Sequence, residues 1–163
     1  MKLIVILILA IVLIAGCVKT TPLTWVCPNG TEVLGGPSQC SEASFCKGSA
    51  RCFNGTVTKI TDGDTLEVNN VSIRLALVDA PESYEEGYNE AREIASSVCP
   101  VGSTAIVDED DGQNESYGRI VAVVYCERIN LNARMVTNKY VTVDKRYCNV
   151  SEFANEDWTW KYC

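Results

Sequence analysis

The chain has 163 residues, a formal net charge of −7, nine cysteines and no histidine. That length holds about one globular domain with a small addition. The missing histidine excludes Ser-His-Asp and Cys-His hydrolases, histidine-based zinc enzymes and nucleases with a histidine base, and the acidic balance argues against a passive nucleic-acid binder.

Met1-Lys2 is followed by unbroken apolar sequence from Leu3 to Ile14 and then by Ala15-Gly16-Cys17. A charged start, an apolar run and small residues at the break describe an export signal. The run is shorter than the roughly 20 residues that span a bilayer. Residues 13–17 are similar to a prokaryotic lipobox, in which Cys17 becomes the lipidated first residue of the mature chain. An ordinary signal peptide and an uncleaved anchor are the alternatives. All three place the remainder outside the cytoplasm, on the extracellular face of the membrane or secreted.

The cysteines agree with export. Setting Cys17 aside leaves Cys27, Cys40, Cys46, Cys52, Cys99, Cys126, Cys148 and Cys163, an even set for which disulfides are the default in an oxidising compartment. Connectivity does not follow from sequence, although Cys27–Cys40 and Cys46–Cys52 are the simplest local closures. Zinc is disfavoured, since no C-x-x-C pair exists and no histidine can help. Asn-x-Ser/Thr sequons begin at Asn29, Asn54, Asn70, Asn114 and Asn149, suited to a glycosylated exported surface.

In chain order, residues 1–17 are the signal and 18–52 a polar linker and cysteine-rich segment with too little apolar content for its own core. The main domain runs over 53–147, beginning with an alternating strand at 55–60. Thr61-Asp62-Gly63 signals a turn. A second strand follows at 65–68, and Asn69-Asn70 suits a tight hairpin because Asn tolerates positive φ. A third strand is expected over 71–78, with Ile73, Leu75 and Leu77 facing one way and Arg74 the other. Residues 89–98 read as a helix capped by Asn89, with Ala91, Ile94, Ala95 and Val98 as its apolar stripe. A fourth strand at 103–107 leads to Asp108-Glu109-Asp110-Asp111-Gly112, read as a solvated acidic loop. A fifth strand spans 118–125 and a short helix 131–137. Residues 148–163 form a tail that a Cys148–Cys163 bond can close, and Cys99 and Cys126 are placed to pair. The expected class is α+β, mainly β: a five-stranded OB-fold Greek-key barrel with packed helices, preceded by a small disulfide-rich segment.

The chemistry concentrates in residues 62–82. Asp64, Asp79 and Glu82 are hard oxygen donors at strand ends and turns, and Arg74 is joined later by Arg119. Carboxylates hold a hard cation, two guanidiniums clamp phosphate oxygens, and a neighbouring carboxylate orients or deprotonates water. This is a kit for metal-assisted phosphodiester hydrolysis. Tyr117 and Tyr147 are candidates to stack on a base or sugar.

Asp62-Gly63-Asp64-Thr65-Leu66, Ile73-Arg74-Leu75, Val78-Asp79-Ala80-Pro81-Glu82, Tyr117-Gly118-Arg119 and Leu131-Asn132 occur in order. Together they resemble the staphylococcal-nuclease-like (thermonuclease) family over about residues 53–147. The resemblance implies a calcium-dependent nuclease that cuts single-stranded or unfolded DNA and RNA at the 5′ P–O bond and leaves 3′-phosphates. It implies Ca2+ on the carboxylates of Asp64 and Asp79 and the carbonyl of Ala80. It implies Glu82 on the attacking water, Arg74 and Arg119 on the developing phosphate charge, and Arg119 also at the leaving oxygen. No protein partner is expected, and the chain is expected to act as a monomer, with the membrane met only through the N-terminal lipid.

The chain departs from the family's pattern in places. Residues 83–87 are acidic where a well-known member is lysine-rich, Glu115-Ser116 precedes Tyr117, and Asn138-Lys139 replaces a usual glycine, so that Asn138 is expected in a left-handed cap. A non-catalytic OB-fold nucleic-acid-binding module and a surface lipoprotein are the alternatives to an enzyme.

Overall fold

The computed structural model describes residues 24–27, 31–36, 39–113 and 116–163. The signal with Cys17 and the sequons at Asn29 and Asn114 lie outside the described residues, whereas Asn54, Asn70 and Asn149 are exposed.

Five strands make the barrel: β3 (Cys52–Ile60), β4 (Thr65–Val68), β5 (Val71–Leu75), β7 (Thr104–Glu109) and β8 (Ile120–Cys126). Neighbours run antiparallel in the order β5-β4-β3-β7-β8, and a parallel β5–β8 pairing closes the ring. Closure removes sheet edges. Before them, β1 (Thr24–Val26) and β2 (Glu32–Leu34) form a separate hairpin. β6 (Val78–Asp79) pairs with β10 (Thr142–Val143), and β9 (Ile129–Asn130) adds to β8. Asn69 and Asn70 take φ of 51° and 62° in the β4–β5 turn, the double positive φ that such a tight hairpin requires.

Val57, Leu66, Val68, Ile73, Leu75, Ala105, Val107, Ala122 and Val124 fill the barrel, with Ala91 and Ala95 of α1 (Tyr88–Val98) and Leu131 and Met135 of α2 (Leu131–Met135) closing it. The alternate residues of β7 and β8 are also buried: Ile106, Val121, Val123 and Tyr125 form a second cluster with Phe45 and Phe153. This explains why β8 is apolar at nearly every position, as a strand covered on both faces is. Phe45 comes from the cysteine-rich segment and packs edge-on against Tyr125 with centroids 4.9 Å apart. Phe153 comes from the tail. Lacking cores of their own, both segments use the outer face of β7–β8. Among the described residues four disulfides staple the arrangement, Cys27–Cys40, Cys46–Cys52, Cys99–Cys126 and Cys148–Cys163.

Several local expectations are corrected. The third strand stops at Leu75, because Leu77 takes φ 57° and turns the chain out of the barrel wall. Leu77 therefore joins the outer cluster rather than sharing the core with Ile73 and Leu75. Asn132, fully buried, holds this turn: its amide donates to the Ala76 carbonyl at 2.9 Å and the Ala122 carbonyl at 3.1 Å, and its Oδ1 accepts the Val124 N–H at 3.0 Å. Helix α1 starts at Tyr88 with Gly87 at its cap, φ 92°, rather than with Asn89. A side chain at Gly87 would meet the Tyr140 ring, so glycine serves both the backbone angle and the packing. Asn138 is not in the left-handed region; its Oδ1 accepts the Tyr140 N–H at 2.8 Å. The 108–112 stretch is a solvated loop only at Asp111 and Gly112, which are exposed; Asp108 and Glu109 belong to β7, and Asp108 and Asp110 are buried. Asp110 accepts from the backbone N–H groups of Gly112 and Glu152 and from Gln113, and Asp111 from those of Ser49 and Ala50. These carboxylates satisfy donors arriving from both flanking segments.

Candidate active site

Register decides which side chains meet. Thr65 stands opposite Arg74 across β4–β5, and Arg74 opposite Val121 across β5–β8. Arg119 lies two residues before Val121, so strand alternation places it on the same face as Arg74. Ser116 and Arg119 bridge a tight turn in which Tyr117 and Gly118 take φ of 53° and 75°. The β8 strand thus begins at Ile120 rather than 118, and Tyr117, 96% exposed, projects from the turn.

Asp64 is held beneath that face. The 62–64 turn packs so tightly on α1 that a Cβ at Gly63 would lie 2.7 Å from those of Ala80 and Ala91. Asp64 is buried, and its Oδ1 is ion-paired with Arg74 Nη1 and accepts from Thr65 Oγ1 at 3.1 Å. Its Oδ2 accepts the Ala80 N–H at 2.9 Å. Burial pushes the Asp64 carboxyl up to about 6, while the Arg74 guanidinium and the Ala80 N–H pull it down. Arg74 also reaches Asp79 Oδ1 at 3.5 Å and donates to the Val78 carbonyl at 3.0 Å. Arg119 donates to the Ser116 carbonyl at 3.1 Å and to Thr65 Oγ1 at 3.3 Å.

One open cleft of about 670 Å³ gathers these groups: Arg74, Asp79, Glu82, Tyr117, Arg119 and Tyr147 all line it. Glu82 is exposed at its mouth. Asp64 and Ala80 are not among the residues lining the cleft; the Ala80 N–H is bonded to Asp64, and Asp64 meets the cleft through its ion pair with Arg74. Asp64, Asp79 and Glu82 do not bring three oxygens within 4.8 Å of one another. Instead, Asp64 and Asp79 share the Arg74 guanidinium.

Among the charged residues lining the cleft, sequence reasoning read Asp62 only as part of a turn and missed Asp144 and Arg146. The β6–β10 pairing, Thr142 opposite Asp79, and the Asp144 N–H to Leu77 carbonyl bond of 3.1 Å bring them there. Asp144 Oδ1 accepts Arg146 Nε at 2.8 Å and its Oδ2 accepts Nη2 at 2.7 Å, which holds the Asp144 carboxyl below the usual range. The guanidinium carbon lies 5.6 Å from the Tyr147 ring centroid. Nothing in the local pattern of 139–147 announces this, since a two-residue strand leaves no period to read.

The sequence profile of the family described as Staphylococcal nuclease homologue matches residues 72–157, just over half of the chain. The chain belongs to the staphylococcal nuclease family. The matched region carries Arg74, Asp79, Ala80, Glu82, Tyr117, Arg119 and Tyr147, and the geometry attaches Asp64 to it through Arg74. Among curated relatives, a protein described as an uncharacterized endonuclease of Escherichia coli is 33% identical over 100 residues, covering 58% of this chain and 63% of that one. A micrococcal nuclease of Shigella flexneri is 31% identical over 97 residues, covering 52% of this chain and 54% of that one. Endonuclease YhcR of Bacillus subtilis (strain 168) is 30% identical over 105 residues, 54% of this chain but 9% of that one. The chain thus spans less than two thirds of each of these relatives.

Proposed function

We propose that this staphylococcal nuclease family member is an exported, lipid-anchored, calcium-dependent nuclease. It hydrolyses single-stranded or unfolded DNA and RNA at the 5′ P–O bond and leaves 3′-phosphate ends. The observation that carries the reading is the convergence of Arg74, Asp79, Glu82 and Arg119 on one cleft above Asp64.

The donor set fits calcium. The cleft lining holds four carboxylates (Asp62, Asp79, Glu82, Asp144), and Asp64 behind Arg74 adds a fifth, against three guanidiniums (Arg74, Arg119, Arg146). Oxygens of Asp64 and Asp79 already face a common cationic centre, the Arg74 guanidinium. Asp64, Asp79 and the Ala80 carbonyl would hold the ion, which supplies Lewis-acid stabilisation of phosphate charge. Arg74 is otherwise occupied by both aspartates, so its service to substrate requires that their charge be met by another cation.

Glu82 at the open mouth positions a water and takes its proton as the oxygen attacks phosphorus. Charge accumulates on the phosphoryl oxygens, and Arg74 and Arg119 neutralise it with fixed forked donors. Arg119 donates a hydrogen bond to the departing 5′ oxygen, which takes a proton from solvent and leaves as a hydroxyl, while Glu82 returns its proton to solvent and the phosphate stays on the 3′ side. Tyr117 and Tyr147 offer ring faces to bases on either flank. Incubating the chain with single-stranded DNA and calcium and analysing product termini tests the reading. Ends bearing 3′-phosphate support it; bound but intact DNA points to a binding module, and full cleavage in excess chelator removes calcium from the scheme.

A further inference from the structure

An unpartnered buried oxygen lies away from the cleft. Asp108 sits in β7 opposite Cys52 of β3, 0% exposed. Its Oδ2 accepts the Lys47 N–H at 2.9 Å, but Oδ1 has no hydrogen-bond partner. Such an atom calls for an explanation, because leaving a buried acceptor unsatisfied is costly. Its neighbours supply one: a carboxylate oxygen of Asp108 and the sulfurs of Cys46 and Cys52 all lie within 4.8 Å of one another. The two sulfurs are bonded to each other, so they offer no thiolates to a metal.

Access separates the four disulfides. Cys27, Cys40, Cys99 and Cys126 are buried, whereas Cys46 and Cys52 are half-buried. Cys148 and Cys163 are likewise not buried, but among the described residues no carboxylate lies that close to both sulfurs.

We propose that Cys46–Cys52 is a thiol–disulfide exchange site for a small or protein dithiol, with Asp108 as its buried proton donor. A thiolate of the dithiol attacks one sulfur, the S–S bond breaks, and its electron pair passes to the other cysteine, which takes the proton from Asp108. The second thiol of the donor then attacks the mixed disulfide and releases the first cysteine. The donor leaves as a disulfide, oxidised by two electrons. The two protons it loses balance the two gained by Cys46 and Cys52, with Asp108 relaying one.

The surroundings set when this works. Burial pushes the Asp108 carboxyl up to about 7; the Lys47 N–H and ammonium oppose that shift, and Glu152 and Asp111 reinforce it. Lys47 is itself paired with Glu156, and Tyr125 faces Asp108 with its phenol kept neutral by burial. Neutral Asp108 donates its proton, whereas ionised Asp108 repels both the incoming and the emerging thiolate. The bond has a structural consequence as well. It closes the loop whose Ser49 and Ala50 N–H groups hold Asp111, next to the Gly112 and Gln113 that line the cleft.

The test is the pH dependence of reduction in the full chain. Dithiothreitol opens the bonds, alkylation traps them, and peptide mass spectrometry follows each pair, with rates divided by thiolate concentration. Cys46–Cys52 should open at least about tenfold faster than the two buried bonds, and its normalised rate should fall about tenfold from about pH 6 to about pH 8. Cys148–Cys163 should show no such fall, and Asp108→Asn should flatten the Cys46–Cys52 profile. A flat wild-type profile, or a fall that survives in Asp108→Asn, overturns the proposal. If Asp108→Asn does not fold, the wild-type contrast between Cys46–Cys52 and Cys148–Cys163 decides alone.

Discussion

Arg119 reaches Thr65 across 3.3 Å, Nη1 to Oγ1, and the same hydroxyl donates to Asp64 Oδ1 at 3.1 Å. One buried hydroxyl therefore sets the spacing between a proposed phosphate clamp and a proposed metal ligand. Thr65→Val keeps the shape and removes the link. Because misplacing a catalytic group by about 1 Å costs up to about 10²-fold, kcat should fall by about tenfold or more with little change in KM. Thr65→Ser should recover most of it. Steady-state cleavage of a labelled oligonucleotide measures this, and unchanged kcat in Thr65→Val would remove Thr65 from the positioning role.

Arg74 has two tasks, and they separate by pH. It lines the cleft, and it is also the cationic partner of buried Asp64. Removing one partner of a buried pair leaves an uncompensated charge, at a cost of up to about 3–5 kcal/mol. In Arg74→Ala the Asp64 carboxyl answers by keeping its proton in the folded state. Since the unfolded chain releases that proton near pH 4, folding stability falls as pH rises above it. The loss in melting temperature should be small near about pH 5 and several degrees near about pH 8. Activity should fall by about 10²–10³ at either pH. A loss of stability independent of pH would show that Asp64 does not depend on Arg74.

The parts of this architecture legible in sequence were those governed by neighbours. Alternation marked the barrel strands, Asn69-Asn70 marked their hairpin, and turn chemistry placed Asp64 and Asp79 at strand ends. What could not be read depends on partners distant in sequence. Asp110 looks solvated until Glu152 arrives with an N–H to satisfy, and the exposed Asp111 looks unengaged until Ser49 and Ala50 bring theirs. Leu77 looks like a core strand residue until Asn132 fixes the turn before it. Arg146 enters the cleft only because a two-residue strand pairs with Val78-Asp79. Gly87 replaces Asn89 as the helix cap because Tyr140 leaves no room for a side chain.

Arg146 provides a measure of substrate grip distinct from chemistry. Its guanidinium is fixed on Asp144 by two donors while its side chain remains 75% exposed beside the cleft. A positioned but solvated cation suits a phosphate flanking the scissile one. Arg146→Ala should raise KM several-fold, leave kcat nearly unchanged, and reduce the slope of log affinity against log salt by about one. Binding of a single-stranded oligonucleotide over a salt series reads that slope directly. An unchanged slope places Arg146 outside the substrate path.

Calcium and protons compete for Asp64, which gives the metal assignment a test that does not need turnover. The folded-state carboxyl is raised to about 6, above its ordinary value near 4. Without metal, its contribution to stability is greatest below about pH 4 and is lost as pH rises through about 6, because the folded state binds the proton more tightly. Calcium needs the ionised form, and a ligand that binds only the folded chain stabilises it by RT ln(1 + [L]/Kd). The calcium-induced rise in melting temperature should therefore be small near about pH 5 and grow to several degrees by about pH 8. In Asp64→Asn the rise should largely vanish at every pH, since the substituted amide offers no negative charge. Equal calcium stabilisation of the wild type and Asp64→Asn, measured by differential scanning calorimetry, would place the ion elsewhere.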